Sequence, residues 1–154
     1  ARAMYDKINH HFEGRCFLEN VKGRFPTIDA GEAPLDMQAE ILSSITNAKV
    51  GSSKILRNGF QKMVERVGKK KVLLVLDNVE NPFQIEALIG RQPPFGGGSR
   101  IIITTRDKQS LSRFGDQMYK PELLNDDDAL ELFMQYAFST KQPTGEYKHC
   151  QAIS

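Results

Sequence analysis

Two strand-like runs in this 154-residue chain each end in residues that could do chemistry. Val72-Leu73-Leu74-Val75-Leu76 is aliphatic at every position and stops at Asp77. A carboxylate at the end of a buried strand can hold the water shell of a Mg2+ ion, a hard cation that takes oxygen ligands beside phosphate groups. Ile101-Ile102-Ile103 runs into Thr104-Thr105-Arg106-Asp107. There Thr105 offers a hydroxyl and Arg106 a permanent cation, a pair suited to a terminal phosphate. Each end also has an ordinary reading: Asp77 as the cap of the following turn, Arg106 as the surface partner of Asp107. Together they carry more weight. The C-terminal ends of the strands of an open parallel sheet share one edge, and that edge is where ligands bind.

The elements needed to position those ends are legible around them. A strand facing water on one side would alternate, so a run that is apolar throughout predicts a strand covered on both faces, as in a parallel sheet. The same is expected of Ile101 to Ile103. Met4, Ile8 and Phe12 have helical spacing, and Arg15 to Leu18 form a short strand entered through Gly14. Lys22 to Ala33 read as loop. Pro34 suits a first helical position ahead of Leu35, Ala39, Leu42 and Ile45. A further helix is predicted from a cap at Ser52 or Ser53, with Leu56, Phe60, Met63, Val64 and Val67 on one face and Gly68 at its end. Asn81-Pro82 opens a helix through Leu88 that Gly90 closes. Asp107 is expected to cap a helix through Leu111, and Gln117 to Lys120 to form an edge strand. After Pro121 the pattern turns helical: Asn125 caps, Asp126, Asp127 and Asp128 fill the positive first turn, and Ala129, Phe133, Tyr136 and Ala137 share a face. Strands separated by helices give an α/β class with a parallel sheet over residues 1–121, followed by the start of a helical subdomain over residues 122–154.

Composition excludes several other roles. Lys and Arg number 21 against 19 Asp and Glu, too even a balance for nucleic-acid binding or membrane attraction as a main activity. Lys69-Lys70-Lys71 reads as a solvated strand entrance. The two cysteines, Cys16 and Cys150, form no CxxC and have no histidine at metal-ligand spacing, which fits a reducing compartment. No apolar run is long enough to span a bilayer.

A phosphate-gripping loop of the form GxxxxGK[ST] occurs nowhere. Gly68-Lys69 lacks both the first glycine, replaced by Met63, and the hydroxyl residue, replaced by Lys70. Gly96-Gly97-Gly98 precedes a strand, so it lacks the helix N-terminus that attracts phosphate, and is expected to be a flexible turn.

The residues now match a family. Lys71 to Val79 resembles the Walker B segment of the NB-ARC domains of plant disease-resistance receptors. Gly98-Ser99-Arg100-Ile101-Ile102-Ile103-Thr104-Thr105-Arg106-Asp107 is similar to the next block of that family. Phe12 to Val21 resembles the early block of the subclass carrying a Toll/interleukin-receptor domain, and Glu80, where other members have Trp, fits the same subclass. Leu130 to Phe138 is similar to the block opening the first helical subdomain, ARC1.

The resemblance implies an incomplete P-loop NTPase-type domain lacking the P-loop strand. The phosphate loop is expected just before the stretch matching Ala1, and a Gly-Leu-Pro-Leu block soon after Ser154. It implies an ADP/ATP switch of a cytoplasmic immune receptor, with Toll/interleukin-receptor and leucine-rich repeat domains as intramolecular partners and a homo-oligomer on activation. Asp77 would be the Mg2+-side carboxylate, acting through water, and Arg106 the sensor of a γ-phosphate, with Thr105 beside it. Many members place a second Asp where this chain has Asn78. An amide has no basicity to offer an attacking water, so no residue here is assigned as a catalytic base and hydrolysis is expected to be slow at most. The missing strand is expected beside both apolar strands, leaving each with unpaired backbone. The chain alone is accordingly expected to fold poorly and not to bind nucleotide tightly.

Overall fold

The computed structural model describes residues 1–25, 34–49, 65, 67–107, 111 and 118–137. The chain divides into two compact units, Ala1–Asp116 and Gln117–Ser154.

The first unit is built on a parallel sheet in the order β1-β2-β3, formed by Gly14–Leu18, Val72–Val79 and Arg100–Thr105. Helix α1 (Arg2–Ile8) and a 3-10 turn (Asn9–His11) lead into β1. A four-residue helix, α2 (Val21–Arg24), follows β1, and α3 (Leu35–Thr46) comes next. Helix α4 (Pro82–Ile89) joins β2 to β3. Pro34 sits one position ahead of its expected place, outside the helix with an extended ψ of 123°. The helix predicted between Ser52 and Gly68 falls outside the described residues apart from its end, where Val67 is fully buried. The helix predicted from Asp107 to Leu111 also lies largely outside them.

Strand β2 is the centre of the fold. Val72 to Leu76 are all fully buried, so the unbroken aliphatic run is explained by cover on both faces. Val72, Leu74 and Leu76 share a face with Cys16 and Leu18 and join the core made by Met37, Ile41, Leu42 and Ile45 of α3 with Ile85, Leu88 and Ile89 of α4. Arg15 and Phe17 of β1 are in register with Leu73 and Val75 and point to the opposite face. There α1 supplies the cover: the Tyr5 ring meets Phe17 edge-on at 5.4 Å, and the Arg2 guanidinium lies 4.1 Å over the same ring. Helices therefore stand on both faces, as doubly wound sheets require.

Two sequence expectations change here. Strand β2 has hydrogen-bonded neighbours on both sides, so the two apolar strands do not both lack a partner. The edges among the described residues are β1 and β3. Ile101 to Ile103 are accordingly only half-buried, although their composition matches that of β2.

The N-terminal ends of the strands are packed by small residues. A Cβ on Gly14 would come within 2.5 Å of the Ile45 side chain, which is why β1 is entered through glycine. One on Gly96 would meet the Lys69 carbonyl oxygen at 2.5 Å. The glycine triplet is thus a turn docked on the backbone of Lys69 and Lys70: the Gly96 N–H donates to the Lys70 carbonyl at 2.8 Å, and the Ser99 hydroxyl accepts the Val72 N–H at 2.9 Å.

In the second unit, α5 (Asp126–Ala137) starts at Asn125, whose side-chain oxygen accepts the Asp128 N–H at 2.8 Å. Met118 to Lys120 form no strand. A strand needs a hydrogen-bonding neighbour, and the described residues of this unit hold only irregular chain and α5. Among the described residues, no helix is long and apolar enough to cross a membrane.

Candidate functional site

A pocket of about 470 Å3 opens at the C-terminal ends of the strands of the first unit, lined by Asn20, Asp77, Asn78, Thr104, Thr105 and Arg106. Asp77, Thr105 and Arg106, separately picked from the sequence, therefore stand at one site, with Asn78 beside them.

The local backbone explains how. Strand β2 does not end at Asp77 but continues to Val79 through a bulge. Leu76 pairs with Ile103 and Val79 with Thr105, so Asp77 and Asn78 together face Thr104 alone. The extra residue is taken up by Asn78 in the left-handed conformation, at φ 57°. Asparagine is among the few side chains that tolerate this conformation.

Thr104 ties the bulge together. Its hydroxyl donates to Oδ1 of Asp77 at 2.7 Å and accepts the Asn78 backbone N–H at 2.9 Å. Asp77 Oδ2 makes no hydrogen bond among the described residues. Asp77 is not the cap of the next turn. That role belongs to Asn81, whose side-chain oxygen accepts the Gln84 N–H at 3.1 Å. The Thr105 hydroxyl closes a turn, accepting the Asp107 N–H at 3.1 Å and donating to the Asp107 carbonyl at 3.3 Å. Arg106 is exposed and makes no ion pair among the described residues, with Asp107 or with any other acid.

Two lining residues, Thr104 and Asn20, were not among the candidates read from the sequence. Thr104 sits one residue before the chosen pair, where strand alternation turns its side chain differently from that of Thr105. Asn20 arrives from a third strand end. Its side chain accepts from the Asn78 amide at 2.9 Å and from the Gly23 N–H at 3.3 Å, the latter capping α2. The sequence does carry a signal for it: Leu18-Glu19-Asn20 and Leu76-Asp77-Asn78 are matching endings of paired strands.

The donor set is one carboxylate with hydroxyl and amide oxygens. No group of three His, Cys, Asp or Glu side chains that could hold a metal ion is found among the described residues. Such a lining fits a Mg2+ ion that keeps water and shares the oxygens of a bound phosphate, and does not make an all-protein cage. Arg106 supplies positive charge to the same lining. One carboxylate and one guanidinium lining the same small polar pocket can bind a metal-accompanied polyphosphate at its two kinds of charge.

The chain resembles known proteins along most of its length. The family model described as NB-ARC domain matches residues 3–143. Disease resistance protein TAO1 of Arabidopsis thaliana is 38% identical over 146 residues, covering 93% of this chain and 12% of that protein. Disease resistance protein RUN1 of Vitis rotundifolia is 35% identical over 152 residues, covering 97% of this chain and 11% of that protein. TMV resistance protein N of Nicotiana glutinosa is 33% identical over 155 residues, with 96% and 13% covered. The chain thus spans a small part of the length of these relatives. With the family model matched across the α/β unit and beyond, and the polar pocket at its strand ends, this chain belongs to the NB-ARC domain family.

Proposed function

We propose that this chain is a segment of an ADP/ATP-binding switch in a plant immune receptor. Residues 1–121 belong to its nucleotide-binding subdomain, and residues 122–154 open the first helical subdomain. The observation that carries the reading is the pocket at the ends of β2 and β3, where Asp77, Thr105 and Arg106 converge. The reading is also supported by membership of a nucleotide-binding family and by relatives named for disease resistance.

In this role Asp77 takes the Mg2+ side of the nucleotide through water, its Oδ1 held by Thr104. Bound Mg2+ would supply neutralisation of phosphate charge. Arg106 reports the presence of a γ-phosphate, and Thr105 stabilises the turn that presents it. Asn78 occupies the place where a carboxylate could act on an attacking water. Its side chain is an amide already engaged with Asn20, so the site favours binding over turnover. The receptor's other domains would be Toll/interleukin-receptor and leucine-rich repeat modules. The cytoplasm is the expected compartment, and self-association the expected response to ATP.

Calorimetry of the full-length protein with Mg2+ and ADP or ATP tests this. Asp77→Ala should abolish the Mg2+ dependence of binding, and Arg106→Ala should weaken ATP more than ADP. If neither substitution changes affinity in a folded protein, Asp77 and Arg106 are structural groups and the nucleotide reading fails.

A further inference from the structure

Asn20 enters the pocket from the segment after β1, although the chemistry assigned to Asp77 and Arg106 makes no use of it. It lies in the left-handed region, at φ 49° and ψ 54°, as does Asn78 at φ 57°. The two side chains meet, and their chemistry fixes which atoms do so. The Gly23 N–H can only donate, so the Asn20 atom it faces is the oxygen. That same oxygen receives Nδ2 of Asn78 at 2.9 Å. A second link joins the same two segments, with Lys22 Nζ lying 2.6 Å from Glu80 Oε1.

The contact has little room for substitutes. A Cβ on Gly23 would lie 2.4 Å from the Asn20 amide nitrogen, so glycine there is what lets the Asn20 side chain lie back over its own turn. A carboxylate at position 78 would face the Asn20 oxygen as acceptor against acceptor. Water can relieve that opposition, because Asn20 is exposed, but the direct link between the two side chains would be lost.

We infer that Asn20 is a positioning residue of this pocket: it anchors the Asn78 amide and so holds the β2 bulge that aims Asp77. The route is continuous. Asn20 fixes Asn78, the Asn78 N–H is bound by the Thr104 hydroxyl, and that hydroxyl donates to Asp77 Oδ1. Asparagine tolerates the left-handed conformation at residue 78, and a contact from outside the strand is what holds it there. Asn20 supplies that hold from a neighbouring strand end. The inference rests on the nucleotide reading above.

A double-mutant cycle in the full-length protein tests it, using glycine at both positions so that the left-handed backbone is kept while the side chain is removed. The probe is a fluorescent ATP analogue, titrated with and without Mg2+. Asn20→Gly should raise the Mg2+ concentration needed for half-maximal binding by about fivefold, the worth of one ordinary hydrogen bond. Affinity without Mg2+ should change less than the Mg2+ requirement does. Asn78→Gly should do the same, and the double variant should be no worse than either single one. Additive losses, or wild-type behaviour of Asn20→Gly, would overturn the inference. If the wild-type protein itself binds no nucleotide, the nucleotide reading has failed and the inference falls with it, an outcome distinct from a binding wild type with an indifferent Asn20.

Discussion

Replacing Thr104 by valine removes one oxygen and leaves the shape of the side chain nearly intact, so it isolates what that hydroxyl does. The oxygen takes part in two hydrogen bonds: it donates to the Asp77 carboxylate at 2.7 Å and accepts the Asn78 N–H at 2.9 Å. A bond to a charged group contributes about 1.5–3 kcal/mol and a neutral one about 1 kcal/mol, for a gross loss of roughly 3 kcal/mol. Thr104, Asp77 and Asn78 are all partly exposed, and water can replace part of what is lost, so about 1.5 kcal/mol is the expected net local effect. At about 1.4 kcal/mol per factor of ten, this corresponds to roughly tenfold faster opening of the bulge. Hydrogen exchange of the peptide spanning Leu76 to Val79, followed by mass spectrometry in the full-length protein, reads that opening directly. Thr104→Val should speed exchange at Asn78 by about tenfold, while Thr104→Ser, which keeps the hydroxyl, should stay within about twofold of wild type. Val72 to Leu74, fully buried in the middle strand, should exchange as before in both. Equal rates in wild type and Thr104→Val, or equal acceleration by serine and valine, would refute the role given to Thr104.

Two further outcomes follow from the same geometry. Asn78→Asp in the full-length protein should raise steady-state phosphate release from ATP, because it places a basic oxygen at the pocket; unchanged turnover would detach the slow hydrolysis from this amide. Cys16 is buried, and burial pushes its thiol up from 9.0 to about 12, so it should resist alkylation at pH 8 in the native protein and react once unfolded, as site-resolved mass spectrometry would show. Its preference for the folded state is fully present below the unfolded thiol's value of 9.0 and is lost as pH rises from there through about 12. A native Cys16 that reacts readily at pH 8 would contradict that burial.

Much of the fold was readable because burial leaves a strong imprint on composition. Five aliphatic residues in a row at Val72 to Leu76 require cover on both faces, and all five are fully buried, with α3 and α4 packed on one side. Elsewhere composition alone misled. Ile101 to Ile103 look as apolar as β2 yet are half-buried, since a strand's exposure depends on whether both neighbours are present. Met118 and Tyr119 have strand-forming character but no strand among the described residues of their unit to pair with, and Tyr119 is 87% exposed. The extension of β2 to Val79 was illegible for another reason. It depends on a left-handed Asn78 held from outside its own strand; asparagine's tolerance of that conformation permits the bulge without marking where it falls.

In the candidate pocket, Asp77, Thr105 and Arg106 were legible as polar ends of apolar strands, whereas Thr104 and Asn20 were not. Asp77 and Arg106 stand out because each follows an apolar strand and the two strand ends share one edge of the sheet. A neutral amide such as Asn20 passes for a helix cap, which it also is. What distinguishes it is register. Strands β1 and β2 run parallel with Leu18 opposite Leu76, so a two-step continuation of each strand brings Asn20 level with Asn78. Both then turn left-handed, and turning the same way from the same level is what lets their side chains meet. Neither asparagine alone predicts the contact; the pairing of the strands does. In a parallel sheet every strand end reaches the same edge. The residues that hold a charged group in place can therefore come from a strand that contributes no charge of its own, found by carrying the register past the last paired residue.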